Sequence, residues 1–148
     1  HLNSSHDMPK ERVDWELLDI SSGTKIDVKS LDEFLEYLKK QPIGRITMRG
    51  PNGAGKSTLL AILKEKYDSK AILLPAEHDL NFLSTGVENL SSGQRKIREL
   101  NEIMNKQSGN LLLLDEWDAN LDQKNVISIS NLLDELSLNI CLIEVRHR

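Results

Sequence analysis

Residues 45–67, RITMRGPNGAGKSTLLAILKEKY, place a short β-prone run, a stretch with three glycines and one lysine, and a run with helical spacing directly in series. Leu59, Leu60, Ile62 and Leu63 are the apolar positions of the last run, with lysines on the outer face. Gly50, Gly53 and Gly55 permit positive-φ backbone that a Cβ would oppose. A strand, a tight loop and a helix in that order satisfy all three demands at once.

The loop itself, Gly50-Pro51-Asn52-Gly53-Ala54-Gly55-Lys56-Ser57, fits G-x-x-x-x-G-K-[ST], the phosphate-binding pattern. In such a loop successive N–H groups converge on phosphate oxygens without side-chain obstruction, and the helix that follows adds the positive end of its dipole. Lys56 is then placed to reach the β- and γ-phosphates and the Ser57 hydroxyl to coordinate Mg²⁺, with Thr58 ending the nucleotide-binding set that starts at Gly50.

The rest of the chain repeats the alternation of strand and helix. VDWELLDI (13–20) reads as a strand, with SSGTK (21–25) as the turn after it. SLDEFLEYLKKQP (30–42) reads as a helix with a Ser30–Glu33 capping box, an apolar face of Leu31, Phe34, Leu35 and Leu38, and Pro42 as its stop. AILL (71–74) is a strand, 75–86 a loop, SSGQRKIRELNEIMNK (91–106) a helix, LLLLDE (111–116) a fully buried strand, NVISISNLLDEL (125–136) a helix and ICLIEV (140–145) a strand. This order predicts an α/β fold, a largely parallel sheet flanked by helices. Residues 1–10 are polar and aperiodic and read as a frayed or appended tail, leaving 11–148 as a single domain.

In LLLLDEWDANLD (111–122) the four leucines place Asp115 at the C-terminal end of a buried strand, where parallel sheets present ligand-binding residues. Asp115 can hold Mg²⁺ through water, and Glu116 is placed to act as general base on an attacking water. Between the glycine loop and this strand lies LSSGQRK (90–96).

With these three elements the chain resembles the ABC-type ATPases, the nucleotide-binding domains of ABC transporters, from about Ile46 to His147. Leu90, Ser91, Gly93 and Gln94 match the L-S-G-G-Q signature, and Ser92 stands at the first of its paired glycines. WDANLD resembles the D-loop, with Asp122 as its acid and Trp117 where proline is usual, and EVRHR resembles the segment that carries the switch histidine, His147. The resemblance implies a P-loop NTPase fold with an ABC-type core, and ATP and Mg²⁺ as the bound groups. It implies a head-to-tail dimer with a second copy or a homologous ATPase domain, in which Ser91, Ser92, Gly93 and Gln94 of one subunit face the ATP of the other. His147 would contact the γ-phosphate beside the catalytic Glu116 and Lys56, and a transmembrane permease domain would be the partner that hydrolysis energises.

The chain also departs from the family. Ala76 and Glu77 occupy the region where a glutamine is usual, and only Leu80 to Leu90 separate that loop from the signature, where transporters insert a helical subdomain. The pattern is that of a core pared down. Trp15 is the candidate adenine-stacking aromatic, with a core position as its other reading. Two further functions share these motifs: a soluble SMC/RecF-like ABC ATPase, and a nucleotide-gated dimerisation switch with little turnover. Ser92 and the missing glutamine favour the switch; Glu116 and His147 oppose it.

Nineteen Lys and Arg against 23 Asp and Glu leave a net charge of -4, so no basic field recommends nucleic acid as a partner. The one cysteine, Cys141, sits in the apolar run NICLIEV and reads as a core residue. The expected compartment is reducing: the cytoplasm, or the cytoplasmic face of a membrane reached through a partner.

Overall fold

The computed structural model describes residues 16–20, 22–27, 29–50, 55–74, 111–119 and 121–146. Strands β1 (Glu16–Asp19), β2 (Thr24–Lys25), β3 (Gly44–Arg49), β4 (Ala71–Leu74), β5 (Leu111–Asp115) and β6 (Cys141–Val145) form one sheet in the order β2-β1-β3-β6-β5-β4. Among the described residues three α-helices flank it: α1 (Leu31–Lys40), α2 (Lys56–Tyr67) and α3 (Gln123–Leu136). β3, β6, β5 and β4 run parallel to one another; beyond β3, β1 pairs antiparallel with β3 and β2 pairs antiparallel with β1.

The layering follows from the leucine run. Successive strand residues point to opposite faces, so four consecutive leucines must be covered on both. Leu111 and Leu113 pack with Ile46, Met48, Cys141, Ile143 and Val145 beneath α1 and α2, which contribute Phe34, Leu38, Leu60 and Leu63. Leu112 and Leu114 pack on the other face beneath α3, through Val126, Ile129, Leu133 and Leu136. Each of the four leucines is at most 2% exposed, as a central parallel strand requires.

α1 opens as its sequence suggests, with one shift. The Glu33 N–H donates to Ser30 Oγ at 3.2 Å, while Glu33 Oε1 accepts from Lys29 N–H at 3.1 Å, one residue ahead of the donor a capping box uses. Asp32 and Glu33 sit in its first turn and Lys39 and Lys40 in its last, complementing the helix dipole. Leu31, Phe34 and Leu38 are buried and Leu35 borders the core.

Thr24 and Lys25, read as part of a turn, instead pair with β1 in the register Leu18↔Lys25 and Asp19↔Thr24. The reversal is shorter than the polar run suggests because Gly23 takes φ 71° and returns its N–H to the Asp19 carbonyl at 2.8 Å. The helix expected over 125–136 starts at Gln123, since Asp122 accepts the Asn125 N–H at 2.8 Å and caps it. β6 begins at Cys141, one residue later than expected, and β5 ends at Asp115, one residue earlier. The helix expected over 91–106 and the first three residues of the strand expected from 13 lie outside the described residues.

Cys141 is buried at the start of β6, and loss of hydration pushes its thiol up to about 12, with the nearby Asp19 charge adding to the effect. At pH 8 the folded protein is expected to resist a thiol reagent that modifies the denatured chain fully, because the thiolate is the reacting form. Stoichiometric labelling of the folded protein within minutes would count against this packing.

Candidate functional site

The sheet's register brings the two sequence motifs to one edge. Val145 is the common partner of Met48 on one side and Asp115 on the other. Met48, two residues before Gly50, is therefore level with Asp115 across β6. At one strand spacing each, the separation is roughly 10 Å. The glycine loop leaves β3 at the same end of the sheet where β5 stops, because the strands are parallel.

α2 starts on Gly55, whose φ of 91° lies where a side chain would be strained, and no side chain caps the helix. No acid occupies its first turn, so nothing there competes with an anion for the helix N-terminus. Lys56 is buried at 5% exposure, and its ammonium donates to the Gly50 carbonyl at the mouth of β3. Ser57 and Thr58 are exposed.

Asp115 is half-buried, and its Oδ1 is the one buried side-chain oxygen among the described residues that lacks a hydrogen-bond partner. A buried carboxylate oxygen with no donor suits a cation or its bound water. Among the described residues no three His, Cys, Asp or Glu side chains converge into a metal cage. Mg²⁺ in phosphate-binding loops does not need one, since one or two protein oxygens and the phosphates suffice. Ser57 and Asp115 are thus a donor set of the right chemistry.

Glu116 leaves the strand with φ 47°, a left-handed conformation that costs a residue with a Cβ about 1–2 kcal/mol. Its N–H still donates to the Val145 carbonyl at 2.8 Å, while its carbonyl accepts from the Ala119 N–H at 3.2 Å, so the turn away from the sheet begins at the acid itself. Asp122, read as the D-loop acid, is exposed and serves as the N-cap of α3. No protein family matches this chain, and no curated protein is significantly similar to it.

Behind Glu116 lies a buried polar network for which the motifs give no notice. Glu144, fully buried on β6, accepts from Arg45 Nε at 2.6 Å and Arg45 Nη2 at 2.9 Å, from Thr47 Oγ1 at 2.6 Å and from Trp117 Nε1 at 2.6 Å. Arg45 Nη1 continues the chain of bonds to the Ser130 carbonyl and hydroxyl and to Asp134 Oδ1 on α3. Burial works against the Arg45 charge, but its bonds to Glu144 and then to Asp134 outweigh that and hold the guanidinium above its ordinary range. The sequence signal was a glutamate in an otherwise apolar central strand, which demands a buried partner.

Several expected site residues lie outside the described residues: Pro51, Asn52, Gly53 and Ala54 of the loop, Ser91, Ser92, Gly93 and Gln94 of the signature, and His147. Trp15, Ala76 and Glu77 do as well.

Proposed function

We propose that this chain is an ABC-type ATP-binding domain that hydrolyses ATP with Mg²⁺ and acts through ATP-driven pairing with a second copy or a homologous domain. The observation that carries the reading is the unpartnered buried oxygen of Asp115, level with Met48 at the edge where the glycine loop leaves the sheet. The uncapped start of α2 and the buried Lys56 ammonium support it.

In this mechanism the α2 N-terminus and Lys56 bind and orient the triphosphate, with Lys56 giving up its contact to the Gly50 carbonyl for phosphate oxygens. Ser57 and Asp115 would hold Mg²⁺, and the charge neutralisation of the transferred phosphoryl group is the chemistry that ion would supply. Glu116 accepts the proton of the attacking water, the role a positioned carboxylate fills in general base catalysis. His147 and the partner's signature serine would complete the site as the family resemblance implies. Driving a permease belongs to the same reading; no described helix is long and apolar enough to cross a membrane.

The test is ATP hydrolysis with Mg²⁺ measured over a range of protein concentrations. Turnover per chain is expected to rise with concentration, since each site needs a second subunit. Failure to bind ATP at millimolar concentration would sink the reading. ATP binding and ATP-dependent pairing without turnover would replace it with the gated switch.

A further inference from the structure

Three consecutive residues after β5 are fastened to three consecutive residues at the end of β6. The Glu116 N–H donates to the Val145 carbonyl at 2.8 Å, Trp117 Nε1 donates to Glu144 Oε1 at 2.6 Å, and Arg146 Nε donates to Asp118 Oδ2 at 3.2 Å. The Arg146 guanidinium also lies over the Trp117 ring, 4.8 Å from its centroid. Its backbone N–H is held in turn by the Met48 carbonyl of β3 at 3.2 Å. Trp117 and Asp118 are buried, and the Arg146 side chain is only 13% exposed.

We infer that Arg146 and Trp117 are positioning residues for Glu116, forming a clasp that holds the acid in its left-handed conformation at the end of β5. The inference rests on the ATPase reading above. Its physical basis is that a disfavoured backbone conformation persists only where its surroundings over-determine it. Glu116 has one hydrogen bond of its own to β6, and its carbonyl accepts from the Ala119 N–H at 3.2 Å within the same turn, so that one bond to β6 leaves the turn as a unit free to pivot on the sheet. The indole bond one residue on and the ion pair two residues on remove that freedom. The cation–π contact joins the two into one unit, because the same guanidinium pairs with Asp118 and covers Trp117.

A hydrophobic residue at 117 and a neutral one at 146 would fill the same space, so burial alone does not call for this pair. Lysine at 146 retains the charge for Asp118 and the ring but loses the planar fork. It is therefore the conservative variant for rescue.

The experiment compares the intact chain with Arg146→Ala, Arg146→Lys, Trp117→Phe, Glu116→Gln and the double variant Arg146→Ala/Glu116→Gln. It reads kcat and KM for ATP, together with nucleotide affinity and a thermal unfolding trace. Arg146→Ala is expected to lower kcat about 10- to 100-fold, the scale of a misplaced catalytic group, with KM and nucleotide affinity unchanged. Arg146→Lys recovers most of the rate. In the Glu116→Gln background Arg146→Ala causes no further loss, as expected of a residue that acts through Glu116. Should Arg146→Ala fail to fold, Trp117→Phe keeps an aromatic face beneath the guanidinium while removing the indole donor and part of the ring volume, and it carries the same expectation of a kcat loss.

Wild-type kcat in folded Arg146→Ala and Trp117→Phe overturns the clasp and leaves the ATPase reading standing. Losses that multiply in the double variant overturn it as well, since Arg146 would then act apart from Glu116. A wild-type chain that neither binds nor hydrolyses ATP overturns both.

Discussion

Replacing Glu144 by alanine is expected to lower the free energy of unfolding by about 3–5 kcal/mol, the scale for breaking a buried ion pair by removing one partner. The carboxylate serves four donors, two from Arg45 and one each from Thr47 and Trp117. Without it the Arg45 side chain, 4% exposed, keeps only the Ser130 oxygens and the carboxylate of Asp134. The Trp117 N–H and the Thr47 hydroxyl lose the acceptor that offsets their burial. Asp134→Ala removes the other carboxylate on Arg45, but that side chain is 55% exposed. Its loss is expected to cost no more than about 1 kcal/mol. Urea unfolding of the two variants in parallel checks both figures. Replacing Arg45 and Glu144 together by methionine and leucine should recover part of the single-variant loss, since the uncompensated charge goes with its partner. A Glu144→Ala variant within about 1 kcal/mol of the parent would show that the network is not holding the sheet to α3.

Glu116→Gln is expected to reduce ATP turnover about 10²- to 10⁴-fold, the usual contribution of a positioned general base. In barrier height this is about 3–5 kcal/mol. Glutamine keeps the volume and the backbone hydrogen bond to Val145 and removes only the ability to take a proton. Nucleotide binding should therefore survive, and single-turnover measurements with saturating ATP separate the two effects. An unchanged rate would move the base elsewhere. Loss of binding along with turnover would mean that the acid supports the loop rather than the water.

The fold was legible where one pattern admitted one arrangement. Four leucines in a row at 111–114 can be dry on both faces only in a central strand, and the amphipathic runs at 31–38 and 126–136 supply the covering layers. The β2 pairing was hidden because Thr24 and Lys25 are exposed, so no burial pattern marks them as strand. The start of α3 was missed because Asp122 was read for its place in a loop motif, whereas its carboxylate also satisfies a helix amide. At the site, the motifs pointed to Lys56, Asp115 and Glu116 individually. That the end of β3 lies level with Asp115 depends on β6 lying between β3 and β5, and register across a sheet is a long-range property. The Arg45–Glu144 pair joins residues distant in the chain, and only the alignment of β3 with β6 identifies each as the other's partner.

The sheet order has one more consequence, for how the molecule comes into being. β6 is the last of the described strands along the chain, yet it is the strand that joins β3 to β5. Until it emerges, β3 with β1 and β2, and β5 with β4, are two fragments without a shared edge. Each leaves open the side that β6 will occupy, with Ile46 and Met48 on one fragment and the leucines of β5 on the other. Contacts spanning most of the chain close late, because loop entropy must be overcome before they yield any stabilisation. During synthesis the β3 half and the β5 half therefore emerge ahead of the strand that joins them, and it is β6 that brings both, and the two motifs they carry, into one sheet.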